Sequence, residues 1–212
     1  MARLPAREII PTRSELIELK RRIVLSETGY GLLKKKRDAL MLELFKAIKK
    51  AKDARRELDE AYALAQEKMA LAQATDGIAR IKSAAFAQAA SPDITVEAHN
   101  IMGISVPRIT ATKVSRTAQE RGYGIGGTSS RIDEACRYYE IVVEKALIAA
   151  ETETVIRRIL TEIERTKRRV NALEFRILPD LEEARRVVQT RLNERERESL
   201  FVVKRIKKTL KK

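Results

Sequence analysis

Tryptophan is absent from this 212-residue chain, and aromatic residues make up only 4 % of it. So little aromatic bulk argues against the core of a globular enzyme. One cysteine, Cys136, and one histidine, His99, cannot form an internal disulfide, a Cys/His zinc site or a two-histidine metal motif. No metal or cofactor is expected. No apolar run reaches the roughly 18 residues of a membrane span, and the opening MARLPAREIIPTR puts Arg, Pro and Glu where a secretory leader needs apolar residues. The expected setting is the cytosol or the cytosolic face of a membrane, without insertion into it. Glycine and proline are also scarce. Neither occurs between Leu32 and Asp76, and after Gly127 there is no glycine and no proline but Pro179. Both residues punctuate helices, so the chain divides into a long helix over 1–76, an irregular head over 77–129 and a second long helix over 130–212.

Charge is what the chain has in abundance: 35 % of residues are charged, the net charge is +14 and the pI is about 10.0. Residues 1–37 and 199–212 carry twelve of those fourteen charges. If the two ends meet, they form a basic tip that includes Arg3, Arg7, Lys204, Arg205, Lys207 and Lys208. Such a tip suits a polyanion, so one reading is a basic cytosolic coiled-coil adaptor that grips nucleic acid through Lys34–Arg37 (KKKR) and the tail. Without interleaved aromatics or a recognition fold, a solvated or protein-facing helix surface is the better account, and no nucleic-acid partner is expected.

The first helix starts after Pro11, with Thr12 or Ser14 as N-cap and Glu15 and Glu18 in the first turns. From Met41 an apolar pattern steps by threes and fours through Leu44, Ile48, Ala51, Arg55, Leu58, Tyr62, Ala65, Met69 and Ala72. The second helix starts at Ser130 with Asp133 three residues on, an approximate capping box. Its pattern runs through Ile132, Ala135, Tyr139, Val142, Ala146, Ala149, Glu153, Ile156, Leu160, Ile163, Lys167, Val170, Glu174, Ile177, Leu181, Ala184, Val188 and Arg191. A seam repeating every 3.5 residues supercoils around a partner, and two such helices in one chain most simply pair with each other. The fold class is therefore dominated by α-helix: a long antiparallel two-helix coiled coil with a small head. In the head, His99–Ile109 and Ile109–Ser115 have the composition of a short β-hairpin, with Pro107 confined to an edge or a strand end.

Gly122, Gly124 and Gly127 satisfy the GxGxxG spacing of phosphate-cradling loops, but the preceding TAQER is polar and no parallel βαβ unit surrounds it. A hinge before a helix is the reading adopted. No nucleophile with its base, paired carboxylates or P-loop stands out, so there is no candidate catalytic residue. The polar residues on the seam, Arg55, Glu153, Lys167, Glu174 and Arg191, read as devices that fix register.

Three strings carry a resemblance: PTRSELIELKRRIVLSETGYGLLKKKRDAL at 11–40, NIMGISVP at 100–107 and TKRRVNALEFRILPDLEEARRVV at 166–188. They resemble the D-subunit family of rotary A-type and V-type ATPases over nearly the whole chain. The resemblance implies the non-catalytic central-stalk shaft, which couples ion translocation to ATP synthesis or hydrolysis. Its paired termini would sit in a ring of catalytic A and B subunits, with the F subunit along the shaft and a funnel-shaped subunit joining it to the membrane ring. The location implied is the cytoplasmic face of the cell membrane, in an archaeal or bacterial complex. The motif residues singled out for interaction are Asn100, Gly103 and Pro107 in the head and Arg169, Asn171, Leu173, Glu174 and Pro179 in the second helix.

If the hairpin of helices turns near residue 104, facing residues sum to roughly 208. Arg55 then faces Glu153, which predicts a cross-helix ion pair. Pro179 faces Gly29, which predicts a bend at Pro179 and a close approach of the two backbones at Gly29 and Gly31, with Tyr30 filling the gap.

Overall fold

The computed structural model describes residues 10–87, 92–112, 114–117, 121–123 and 128–210. The elements are α1 (Arg13–Asp76), α2 (Ile78–Ala87), β1 (Asp93–Ile101), β2 (Ile104–Thr112), α3 (Ser130–Ala172), a π turn (Leu173–Ile177) and α4 (Leu178–Thr209). Two long helices, α1 and α3, pack antiparallel, and the strands form one two-stranded antiparallel hairpin. Arg3, Arg7, Gly124 and Gly127 lie outside the described residues.

Thr12 is the N-cap of α1, because its hydroxyl oxygen accepts the Glu15 N–H at 3.1 Å and relieves one of the orphan donors of the first turn. The helix ends because Gly77 adopts φ +76°, a left-handed cap that glycine takes without a Cβ penalty, and its N–H reaches back to the Gln73 carbonyl.

The chain forms two compact units that cut across these elements. The first joins residues 1–39 to 163–212, and its core is Leu19 and Ile23 of α1 against Leu181, Ala184 and Val188 of α4, flanked by Leu16 and Leu192. Arg13 pairs with Glu196 at 2.7 Å and Arg195 donates to the Pro11 carbonyl, so the start of α1 lies beside residues 195–196 while Leu19 and Ile23, further on, lie beside 181–188: the segments run antiparallel.

The π turn belongs to this unit. The Leu178 N–H bonds to the Leu173 carbonyl, five residues back, and Pro179 follows at once. A proline inside an α-helix removes one bond and drives its ring at the carbonyl four residues earlier, here Phe175; widening that turn accommodates both. The helix is thus irregular at Pro179. The expected approach of backbones at Gly29 and Gly31 is absent: a Cβ at either glycine would meet no heavy atom within 4 Å, so neither is required for clearance. Tyr30 is half-buried and carries Lys34 Nζ 5.8 Å from its ring centroid.

The second unit spans 40–162. On its part of α1 Leu40, Leu44, Ala47, Ala51, Ala54, Leu58, Ala61, Ala65, Lys68 and Ala72 are all buried or half-buried, an unbroken alternation of four and three, with Glu43, Ile48, Met69 and Asp76 half-buried besides. This corrects the sequence reading by one residue at Met41, Arg55 and Tyr62, while at Ile48 and Met69 both candidates are half-buried and Met69 packs against the apolar cluster of the head. Arg55, Met41 and Tyr62 are exposed on the flank, Tyr62 by 46 %, and Ile48 and Met69 are only half-buried beside the seam. On α3 the seam passes through Thr152 and Ile159, not Glu153 and Leu160; Ile159 is 1 % exposed and Leu160 43 %. Likewise Thr166 is buried where Lys167 was expected. The physical reason is size: the α1 seam takes alanine at 47, 54 and 61, where small side chains let two helices approach closely, while the bulkier neighbours that attract a sequence reading cover the flanks.

Candidate functional site

The second unit carries the hairpin head. Its turn is Met102–Gly103, both at positive φ (52° and 84°), which is the type I′ geometry that matches the twist of the strands. The Asn100 side-chain oxygen accepts the Gly103 N–H at 2.8 Å and holds the turn closed. The hairpin thus lies earlier than the sequence suggested: it pairs 93–101 with 104–112, and His99–Ile109 spans the turn instead of forming one strand. Pro107 sits opposite Ala98, a pair whose N–H groups face away from the ladder, so the missing donor breaks nothing.

Two side chains of α3 clasp β2. Glu151 accepts the Ile109 N–H at 2.9 Å, and Arg158 donates to the Ser105 carbonyl. Nearby, Arg121 is clamped by Glu140 through Nε (2.9 Å) and Nη2 (3.0 Å), and its Nη1 reaches the Asp133 carbonyl at 3.2 Å. Both side chains are almost fully buried. The charge-assisted bonds from Glu140 drive the guanidinium further up from its already high pKa, against burial, which opposes charge. Tyr123 donates to Asp133 at 2.6 Å; burial first, then that bond, raise its phenol. This network pins 121–123 to α3 over a small apolar cluster of Ala72, Ala84, Tyr123, Ile132 and Ala135. A cavity of about 550 Å³ lies alongside, lined by Met69, Ile81, Cys136, Tyr139 and Glu140 among others. Glu140 is its one carboxylate among the described residues, and Arg121 holds it.

Along α1 and α3 of this unit runs a ladder of opposite charges: Arg55–Glu153 at 3.3 Å, Glu57–Lys145 at 2.7 Å and Lys68–Glu134 at 2.9 Å. Hydrogen bonding and the charge of Lys145 lower the Glu57 carboxyl, and Glu57 raises Lys145 in return. Arg55 and Glu153 meet from exposed flanking positions, not from within the seam.

The other sequence-singled residues fall as follows. In the second unit Leu44 is buried and Ala51, Leu58 and Ile156 are half-buried on the seam; in the first unit so is Ile163. Arg169, Asn171, Glu174 and Pro179 are exposed around the π turn and Leu173 is half-buried. Lys204, Arg205, Lys207 and Lys208 are exposed on α4 among exposed Leu200, Phe201, Val203 and Ile206. Sequence reasoning missed Arg121, Glu140, Glu151 and Arg158, all charged residues that look like ordinary surface positions. Among the described residues no cluster of His, Cys, Asp or Glu could hold a metal, and no helix is long and apolar enough to cross a membrane.

Against known proteins, the family model for the ATP synthase D subunit matches residues 15–208. The A-type ATP synthase D subunit of Methanococcoides burtonii is 54 % identical over 203 residues, covering 96 % of this chain and 98 % of that protein. That of Methanosarcina mazei is 51 % identical over 200 residues, with 94 % and 96 % covered. That of Halobacterium salinarum is 47 % identical over 202 residues, with 95 % and 90 % covered.

Proposed function

The chain belongs to the ATP synthase D-subunit family, and from that premise we propose how it works. It is a non-catalytic rotor subunit of the central stalk of an A-type ATP synthase. In our reading residues 11–40 and 170–212 lie inside the ring of catalytic A and B subunits. Segments 1–76 and 130–212 form the shaft and 77–129 the head, the F subunit binds along the shaft, and a funnel-shaped subunit joins it to the membrane ring. The site of action is the cytoplasmic face of the cell membrane, with no insertion into it and no nucleic-acid partner.

One observation carries this reading. In the first unit α1 and α4 bury Leu19, Ile23, Leu181, Ala184 and Val188 against each other, yet Val24, Leu25 and Leu32 of α1, Phe175 of the π turn and Phe201 of α4 stay outside that seam, among lysines and arginines. Apolar residues in such number on an outer helix surface mark a surface that works against another protein. Mechanically, wound helices resist twist, and an asymmetric surface gives each of three equivalent catalytic interfaces a different contact. Each contact biases its interface toward a different conformation, because a ligand shifts an equilibrium by its differential affinity for the two states. Torque then runs in either direction, from ion flow to synthesis or from hydrolysis to pumping.

The test is a disulfide between a cysteine at Phe201 and one on the facing A or B subunit in the reconstituted complex. Turnover should stop on oxidation and return on reduction. A linked complex that still turns over at the parent rate would refute the placement.

A further inference from the structure

The fold treats the two edges of the hairpin differently. In a two-residue type I′ hairpin the pair flanking the turn, Ile101 and Ile104, is hydrogen-bonded. By alternation, Ile94, Val96, Ala98 and Asn100 of β1 turn their backbone N–H and C=O outward, as do Ser105, Pro107, Ile109 and Ala111 of β2. The outer edge of β2 is covered: Glu151 takes the Ile109 N–H, Arg158 takes the Ser105 carbonyl, and Pro107 has no N–H to offer. The outer edge of β1 is open. Among the described residues nothing bonds the outward backbone groups of those four residues, and every residue from Asp93 to Asn100 is exposed.

Apart from Asp93 and Glu97, β1 also lacks the devices that blunt an edge. It is nine residues long, with no proline, no lysine and no bulge in its register. Ile94 and Val96, 49 % and 63 % exposed, project on the same face as Ile109 and Ala111 of β2, so an apolar stripe leads up to the open edge and stops there.

We propose that the outer edge of β1 is a docking site at which an extended segment of a neighbouring subunit adds a third strand. The occupant presents apolar side chains beside Ile94 and Val96, and a lysine or arginine beside Glu97. Charge argues for this occupant: β1 holds Asp93 and Glu97 and no lysine or arginine, in a chain of net charge +14, and Arg108, the cross-strand neighbour of Glu97, lies on β2, away from the open edge. Charge also argues against a second copy. The antiparallel self-pairing that uses all four outward residues sets Ile94 against Asn100 and Val96 against Ala98, and so brings Glu97 directly against its own mate, which destabilises a sheet. Backbone bonds supply the affinity in such a mode and alternate side chains the specificity. That the partner belongs to the ATP synthase rests on the function proposed above; the docking mode does not.

Hydrogen exchange on the full chain, alone and in the reconstituted complex, tests the site. The outward amides of Ile94, Val96 and Ala98 should exchange at least tenfold more slowly in the complex, while the inward amides of Thr95 and Glu97 are slow in both states and report that the hairpin is folded. Val96→Pro deletes only an outward donor, as Pro107 does on β2, and should abolish that protection. A labelled nine-residue peptide alternating valine and lysine should bind the chain alone, at least tenfold more weakly to Val96→Pro and to Glu97→Lys; the valine–glutamate counterpart should not bind. Outward amides that exchange equally fast in the complex, together with no peptide binding, would overturn the proposal. So would protection in the free chain that grows with concentration alongside a dimer mass, which would make the occupant a second copy. Peptide binding with the expected variant pattern, in a chain that fails to assemble with the other subunits, would support the docking site and refute the proposed function instead.

Discussion

Replacing Glu140 by leucine while keeping Arg121 is the sharpest test of how the head is held. The two side chains are 10 % and 5 % exposed, and Glu140 supplies both charge-assisted bonds to the guanidinium; without it the Asp133 carbonyl, the longer approach of the Asp133 carboxylate and the Tyr123 hydroxyl remain. Removing one partner of a buried pair strands the other charge, which costs about 3–5 kcal/mol, whereas replacing both by apolar residues of similar volume is often neutral or stabilising. Glu140→Leu should therefore cost about 3–5 kcal/mol, and Arg121→Met with Glu140→Leu close to nothing. With a urea slope of about 2 kcal/mol per molar, the single variant should lower the midpoint for the second unit by roughly 2 M and the double variant should return it to the parent value. Urea titration followed by tyrosine fluorescence reads mainly that unit, because Tyr62, Tyr123, Tyr138 and Tyr139 lie in it and only Tyr30 in the other; replacing Tyr30 by Phe removes the remaining signal. A single variant no worse than the double would mean that Arg121 escapes to solvent or is satisfied by Asp133 and Tyr123, and the account of the clamp would fail.

Two further outcomes follow from exposure. Arg55 and Glu153 meet at 3.3 Å with more than half of each side chain in water, so changing both to leucine should move the melting temperature by no more than the effect of about 1 kcal/mol; a larger loss by calorimetry would show that the pair stabilises more than a surface ion pair does. Gly29→Ala should stabilise the first unit by up to about 1 kcal/mol, since helix propensity favours alanine and an added Cβ meets nothing; destabilisation in urea would show a close approach at that level after all.

Helix boundaries were legible because they rest on local signals. The choice of Thr12 or Ser14 ahead of the first turn brackets the start of α1, and the empty stretch between Leu32 and Asp76 with Gly77 as the first breaker locates its end. The hairpin turn was not legible. Type I′ turns announce themselves with Asn-Gly or Asp-Gly, and here the first turn residue is Met102, whose φ of 52° costs strain that sequence alone does not reveal. Gly103 with Asn100 three residues before it was the available signal, since that asparagine oxygen is what closes the turn. The clasp and the clamp were hidden for another reason: Glu151, Arg158 and Glu140 sit in a helix rich in solvated charges, and only the tertiary fold says which of them reach inward.

The seam of the second helix failed in an instructive way at the π turn. Steps of three and four carry the count from Val170 to Glu174 and Ile177, yet both are exposed, and the residues turned inward are Leu173 and then Leu178, a step of five. No α-helix makes that step; a single π turn does, because it adds one residue to one turn and rotates everything after it by roughly 100° relative to the uninterrupted helix. Beyond the turn the seam resumes at Leu181, Ala184 and Val188, which pack against Leu19 and Ile23. The same widened turn presents Phe175 outward, 74 % exposed, and leaves room for Pro179. Proline therefore does not break this helix at a random height. It follows at once on the widened turn, so one local irregularity turns Leu173 and Leu178 toward the inside and sets an aromatic side chain on the outside, on the segment proposed to turn within the catalytic ring.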